Sequence, residues 1–87
     1  MHVTVNDKTI ELTEKEYQLL AYFIVNQRRM LTKAAIAEHI WGDEYDQVSN
    51  YDFIYTHIKN LRKKLMDADA GDYIKTVYGT GYRFTDI

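Results

Sequence analysis

The chain has 87 residues, a formal net charge of −2, 46% apolar and 28% charged side chains, and no cysteine. A length of this order supports one domain, residues 1–87, burying roughly 60–65% of its unfolded surface, with no cleft between domains for a large active site. Apolar runs of about 18 residues and a basic-then-apolar leader are both missing, so neither a membrane span nor a secretion signal is expected. Without cysteine there is no disulfide framework, thiolate nucleophile or cysteine zinc site, and a reducing, cytoplasmic setting is the expectation. The net charge alone argues mildly against a nucleic-acid partner; its distribution along the chain argues the other way.

His2–Val5 and Thr9–Leu12 are β-prone runs around Asn6-Asp7-Lys8, a turn sequence that predicts a hairpin. Its start at residue 1 leads us to expect an excised domain with an incomplete N-terminal sheet. Thr13-Glu14-Lys15-Glu16 is a capping box opening a first helix, with Leu12 placed to staple onto Tyr17. Tyr17, Leu20, Phe23, Ile24 and Gln27 follow at helical spacing and form its expected core side. A second helix is expected from Thr32, with Leu31 and Ile36 as its staple, Ile36, Ile40 and Trp41 on its buried side and Gly42 as its stop. A third begins near Ser49, where Ser49-Asn50-Tyr51-Asp52 repeats the capping pattern, and runs over about Asn50–Met66. Tyr73–Val77 and Tyr82–Thr85 flank Tyr78-Gly79-Thr80-Gly81 and predict a terminal hairpin. The expected order is ββ-ααα-ββ, an α+β domain.

Charge is segregated. Residues 38–52 hold Glu38, Asp43, Glu44, Asp46 and Asp52 with no Lys or Arg, whereas residues 56–66 hold His57, Lys59, Arg62, Lys63 and Lys64 with no acid. At about 100° per residue, Tyr51, Ile54, Ile58, Leu61 and Leu65 share one stripe of the third helix. Asp52, Thr56, Lys59, Asn60 and Lys63 fall opposite, with Arg62 and Tyr55 along one edge and His57 and Lys64 along the other. A short basic face on a helix roughly 24 Å long suits the DNA major groove. Lys and Arg neutralise phosphates, Asn bonds adenine in two places, and the Thr methyl touches thymine. The competing reading is a solvated helix face.

The Gly42–Val48 connection is acidic and aromatic, which does not suit phosphate; a protein contact and an ordinary exposed loop are the two readings. Lys75, Thr76, Tyr78, Thr80 and Arg83 surround the narrow turn of the last hairpin, as in a wing that reaches phosphates or the minor groove; the alternative is a hairpin that only completes the sheet. Gly79-Thr80-Gly81 lacks the pattern of a phosphate-cradling loop. His2, His39 and His57 have no metal spacing, Glu14/Glu16 and Asp67/Asp69 read as helix-end carboxylates, and no Ser has a plausible triad. Tyr17 and Tyr51 fit helix core faces, and Tyr73 and Tyr82 fit strand faces. Neither an enzyme nor a metal or cofactor is expected.

Leu12-Thr-Glu-Lys-Glu-Tyr17, Leu31-Thr-Lys33, Ile40-Trp-Gly42, His57-Ile-Lys-Asn-Leu-Arg-Lys-Lys-Leu65 and Ile74-Lys-Thr-Val-Tyr-Gly-Thr-Gly-Tyr-Arg-Phe84 stand in order over nearly the whole chain. Together they resemble the C-terminal effector domain of OmpR/PhoB-type response regulators. That resemblance implies a winged helix-turn-helix in a bacterial, cytoplasmic transcription regulator that binds direct-repeat double-stranded DNA, usually as a tandem dimer. It implies a receiver domain, absent from this chain, and a sensor kinase acting on it. By the same resemblance Lys33 is a phosphate contact, Trp41 meets the DNA backbone, and His57, Lys59, Arg62 and Lys63 mix phosphate and base contacts. Thr76 touches phosphate at the wing base. Residues Gly42, Asp43, Glu44, Tyr45, Asp46, Gln47 and Val48 match a segment that contacts RNA polymerase in some relatives.

Asn60 stands where many members carry a guanine-reading Arg, and Tyr78 where many carry the wing Arg. Asp52-Phe53 replaces a common Arg-Thr, and Tyr55 a common Asp. With these departures the site sequence is not to be borrowed from a relative, and a modest affinity per domain, raised by dimerisation, is expected. The rival is a winged-helix protein-interaction module using the acidic loop.

Overall fold

The computed structural model describes residues 2–5, 7–42, 52–68 and 71–85. Strands β1 (His2–Val5) and β2 (Lys8–Glu11) pair antiparallel, with Val5 opposite Lys8 across the turn. Asp7 takes the left-handed conformation there (φ 65°), which a short polar side chain tolerates. Ile10 and Leu12 are buried and carry the chain into the core.

Helix α1 (Glu14–Val25) is opened by the expected capping box: the Glu16 N–H donates to Thr13 Oγ1 at 3.2 Å and the Thr13 N–H to Glu16 Oε1 at 3.0 Å. Its buried face corrects the expected one. Leu19, Leu20, Phe23 and Glu16 are buried, whereas Tyr17 is 38% and Ile24 46% exposed and Gln27 is exposed. Tyr17 therefore does not belong to the core face. The helix is turned by about one residue from the stripe the spacing favoured, because the core on its inner side is filled by the adjacent pair Leu19 and Leu20. Glu16 is tolerated inside because it caps its own helix and accepts from Lys64.

A second correction follows α1. The chain turns at Arg28 (φ 71°), whose N–H donates to the Phe84 carbonyl at 2.9 Å. Met30–Thr32 then forms a strand, β3, where direct passage to the second helix was expected. Helix α2 (Lys33–Trp41) starts from Thr32, whose Oγ1 accepts from the Ala35 N–H at 3.0 Å, and ends at Gly42 (φ 55°), as expected. Helix α3 (Asp52–Asp67) buries Ile54, Ile58, Leu61 and Leu65, the expected stripe. The expected start at Ser49, Asn50 and Tyr51, and Asp43 to Val48 of the connection, lie outside the described residues.

Strands β4 (Ile74–Val77) and β5 (Gly81–Phe84) form the terminal hairpin, within a residue of the expected bounds. With β3 they make a three-stranded antiparallel sheet in the order β3-β5-β4. Phe23, Ile36, Ile54, Ile58 and Leu61 are its fully buried partners in one core, to which β4 adds Ile74, and Phe84 stacks on Phe23. Gly81 is dictated by packing: a Cβ there would fall on the Leu31 carbonyl of β3. Among the described residues no helix is long and apolar enough to cross a membrane.

Candidate nucleic-acid interface

With one face of α3 committed to the core, Thr56, Lys59, Asn60 and Lys63 are all exposed on the other. Their i, i+3, i+4, i+7 spacing puts them on one line along the helix. The Thr56 hydroxyl donates to the Asp52 carbonyl at 3.2 Å. What Thr56 presents outward is therefore its methyl and an acceptor oxygen.

The two edges of α3 are set by what they meet. His57 is half-buried against Trp41, with ring centroids 5.1 Å apart. Trp41 also meets Phe53 edge-on at 4.8 Å, and Lys15 Nζ lies 5.7 Å from its ring centroid. That Lys15 donates to the Ile40 carbonyl at 3.1 Å, so α1 clamps the end of α2. Trp41 thus packs where α1, α2 and α3 converge, with its indole half-exposed. On the same edge Lys64 turns inward to Glu16 and leaves the basic face.

Along the other edge a groove of about 270 Å³ separates α3 from the wing. Tyr55, Ile58, Met66 and Tyr82 give it an apolar floor, and Lys59, Arg62 and Lys63 a mainly basic rim that Asp67 interrupts. Burial pushes the Tyr82 phenol up from its usual pKa; Tyr55 adds to the shift and Arg62 opposes it. Arg62 is not unengaged: it bonds Asp72, an acid that reading the sequence did not single out. No sequence signal links residues 62 and 72, because the pair depends on how β4 returns past α3.

The wing turn is closed by the Thr80 N–H donating to the Val77 carbonyl at 3.0 Å, with Gly79 at φ 74° where a type II turn needs it. Tyr78 is 93% exposed at the tip and Thr80 is exposed beside it. The Lys33 N–H donates to the Thr80 carbonyl at 3.4 Å, which brings the start of α2 against the wing tip. Thr76 lies opposite the buried Tyr82 but is itself exposed, at the open end of β4 toward the turn. Arg83 lies opposite Lys75 and Met30, on the reverse face of that sheet. Lys33, Thr76, Tyr78 and Thr80 are therefore grouped around the wing, and Arg83 is turned away from them. Among the described residues no three His, Asp or Glu side chains converge as a metal ion would require.

A three-helix core with an open third helix beside a β-hairpin is a winged helix-turn-helix. The family model described as "Transcriptional regulatory protein, C terminal" matches residues 7–84. The regulatory protein VanR of Enterococcus faecium is 39% identical over 79 residues, covering 90% of this chain and 34% of VanR. The DNA-binding domain of Klebsiella pneumoniae RstA, solved in complex with RstA box, superposes with a TM-score of 0.79 at 26% identity, over 97% of this chain and 82% of that one. The DNA-binding domain of the response regulator AdeR, solved with an intercistronic region, shares the fold (TM-score 0.84, 22% identity, 99% and 86% covered). The chain belongs to the OmpR/PhoB-type family of response-regulator C-terminal, DNA-binding domains. It spans about a third of the length of the curated relatives it matches.

Proposed function

We propose that this chain is one domain that binds double-stranded DNA sequence-specifically and so regulates transcription, with α3 in the major groove and the β4–β5 hairpin as the wing. The observation that carries this reading is the division of α3: Ile54, Ile58, Leu61 and Leu65 are buried, while Thr56, Lys59, Asn60 and Lys63 are exposed along the opposite side. A core-packed helix holds its outer face rigidly, and this one presents two cations, an amide and a methyl at the spacing of a groove-reading helix.

Lys59 and Lys63 neutralise phosphates, and Asn60 reads a base, with adenine its natural partner. Thr56 contacts a thymine methyl. Lys33, Thr76 and Thr80 approach the backbone at the wing, joined by Trp41 and His57 at the opposite edge. Tyr78 meets the sugar-phosphate edge without offering a cation. Arg62 joins the set once it leaves Asp72, and Arg83, on the reverse sheet face, is its weakest member. The domain acts on direct repeats beside a second copy, under a receiver domain controlled by a sensor kinase. The Gly42–Val48 connection is the surface for RNA polymerase. No catalytic role is assigned.

The test is a salt titration of duplex binding by the wild-type chain, Lys59→Ala and Lys63→Ala. Each lysine contributes about 0.9 to the slope of log affinity against log salt. Each variant is expected to flatten the slope by about one ion and to weaken all sequences alike. Unchanged slopes in both would place α3 elsewhere, and no salt-dependent binding by the wild type would contradict the reading itself.

A further inference from the structure

The guanidinium of Arg62 is held on the protein. Its Nη2 donates to both oxygens of Asp72, at 3.2 and 3.3 Å. Asp72 lies in the connection between α3 and β4, and Lys75 Nζ, on β4, is 3.9 Å from the same carboxylate. One carboxylate is therefore shared by a cation from the helix and a cation from the wing.

The position of that carboxylate is set by the backbone on either side. Gly71 turns the chain at φ 93°, and the Thr85 N–H donates to the Tyr73 carbonyl at 2.8 Å. Arg62 and Asp72 are 32% and 39% exposed, so a ligand reaches both. To Arg62, Asp72 offers what a phosphodiester offers: two anionic oxygens at hydrogen-bond distance. An ion pair this exposed is a weak hold, readily exchanged.

The geometry points to Asp72 as a specificity-determining residue, an internal competitor that keeps Arg62 from the DNA backbone until a correctly placed phosphate takes it. This assignment rests on the DNA-binding reading above. On random duplex, where the domain does not settle in register, Arg62 stays with Asp72 and one positive charge is withheld. On the preferred site the phosphate lies within reach and the exchange proceeds. Asp72 therefore depresses non-specific affinity more than specific affinity and widens the ratio between them.

The experiment uses Asp72→Asn, Arg62→Gln and the double variant, titrated across salt with random-sequence duplex and with the duplex the wild type selects. Asp72→Asn is expected to raise random-duplex affinity about three- to tenfold at low salt, to steepen its slope by about one ion, and to change selected-site affinity less. In the Arg62→Gln background the gain is expected to fall below half. A salt slope is a readout that a merely structural role would not move. Wild-type affinity and slope in Asp72→Asn overturn the assignment, and so does a gain that persists in full without Arg62, because the carboxylate would then act by repulsion alone. A wild type that binds neither duplex overturns the DNA-binding reading together with this one.

Discussion

Lys64 Nζ lies 2.6 Å from Glu16 Oε1, so the same carboxylate caps α1 and anchors α3. Glu16 is 3% exposed. Burial pushes its pKa up, but the bond from Lys64 and those from Thr13 outweigh that and leave it below the ordinary glutamate value. A carboxyl lowered in the folded state stabilises fully above its unfolded pKa, about 4.3, and loses that contribution as pH falls through the folded value. Glu16→Gln is expected to cost about 1–2 kcal/mol at neutral pH, through the weakened cap and the lost pair. Thermal melts at neutral pH and near pH 3 should show the gap to wild type narrowing in acid; an equal gap at both would contradict the pairing.

Gly81 and Gly79 are expected to respond differently to alanine. At Gly81 the added methyl meets the Leu31 carbonyl and forces β3 and β5 apart. The expected cost is on the order of 3 kcal/mol. At Gly79 nothing lies within contact of a Cβ, and only the positive φ resists it, at about 1–2 kcal/mol. Urea unfolding of both variants checks the order; equal losses would mean that the β3–β5 approach is not close.

Tyr78 stands almost fully exposed at the wing tip, where it contributes area but no charge. Tyr78→Arg is expected to strengthen duplex binding several-fold at low salt and to add about one ion to the salt slope. Stability should stay within about 0.5 kcal/mol, since the side chain packs on little. Unchanged binding by this variant would place the tip away from DNA.

The sequence carried the parts of this fold whose signals are local. The Thr13–Glu16 capping box, the Thr32 cap, the Gly42 stop and the Ile54-to-Leu65 stripe each depend on residues within a turn or two of one another. β3 could not be read this way. It is three residues long, buries only Leu31, and exists because β5, some 50 residues later, pairs with it. The core face of α1 was displaced for a related reason: Tyr17 and Leu19 are both apolar enough to face inward, and the choice is made by what packs there. The outer face of α3 was legible because its apolar stripe leaves the polar face no alternative. The Arg62–Asp72 pair was not, since Asp72 lies in the connection by which the chain returns past α3 to β4, and Arg83 takes the face opposite its buried neighbour Tyr82.

The most direct test of α3 as the reading helix is selection from random duplex DNA by the wild-type domain and by Asn60→Ala, in parallel. The account predicts that the wild type enriches a short half-site, repeated about one helical turn apart when two copies bind. It predicts that Asn60→Ala loses preference at one base pair of that half-site, worth roughly 1–3 kcal/mol, and keeps the rest. Identical base profiles for the two proteins would remove Asn60 from the readers, and no enrichment by either would contradict sequence-specific binding by this domain.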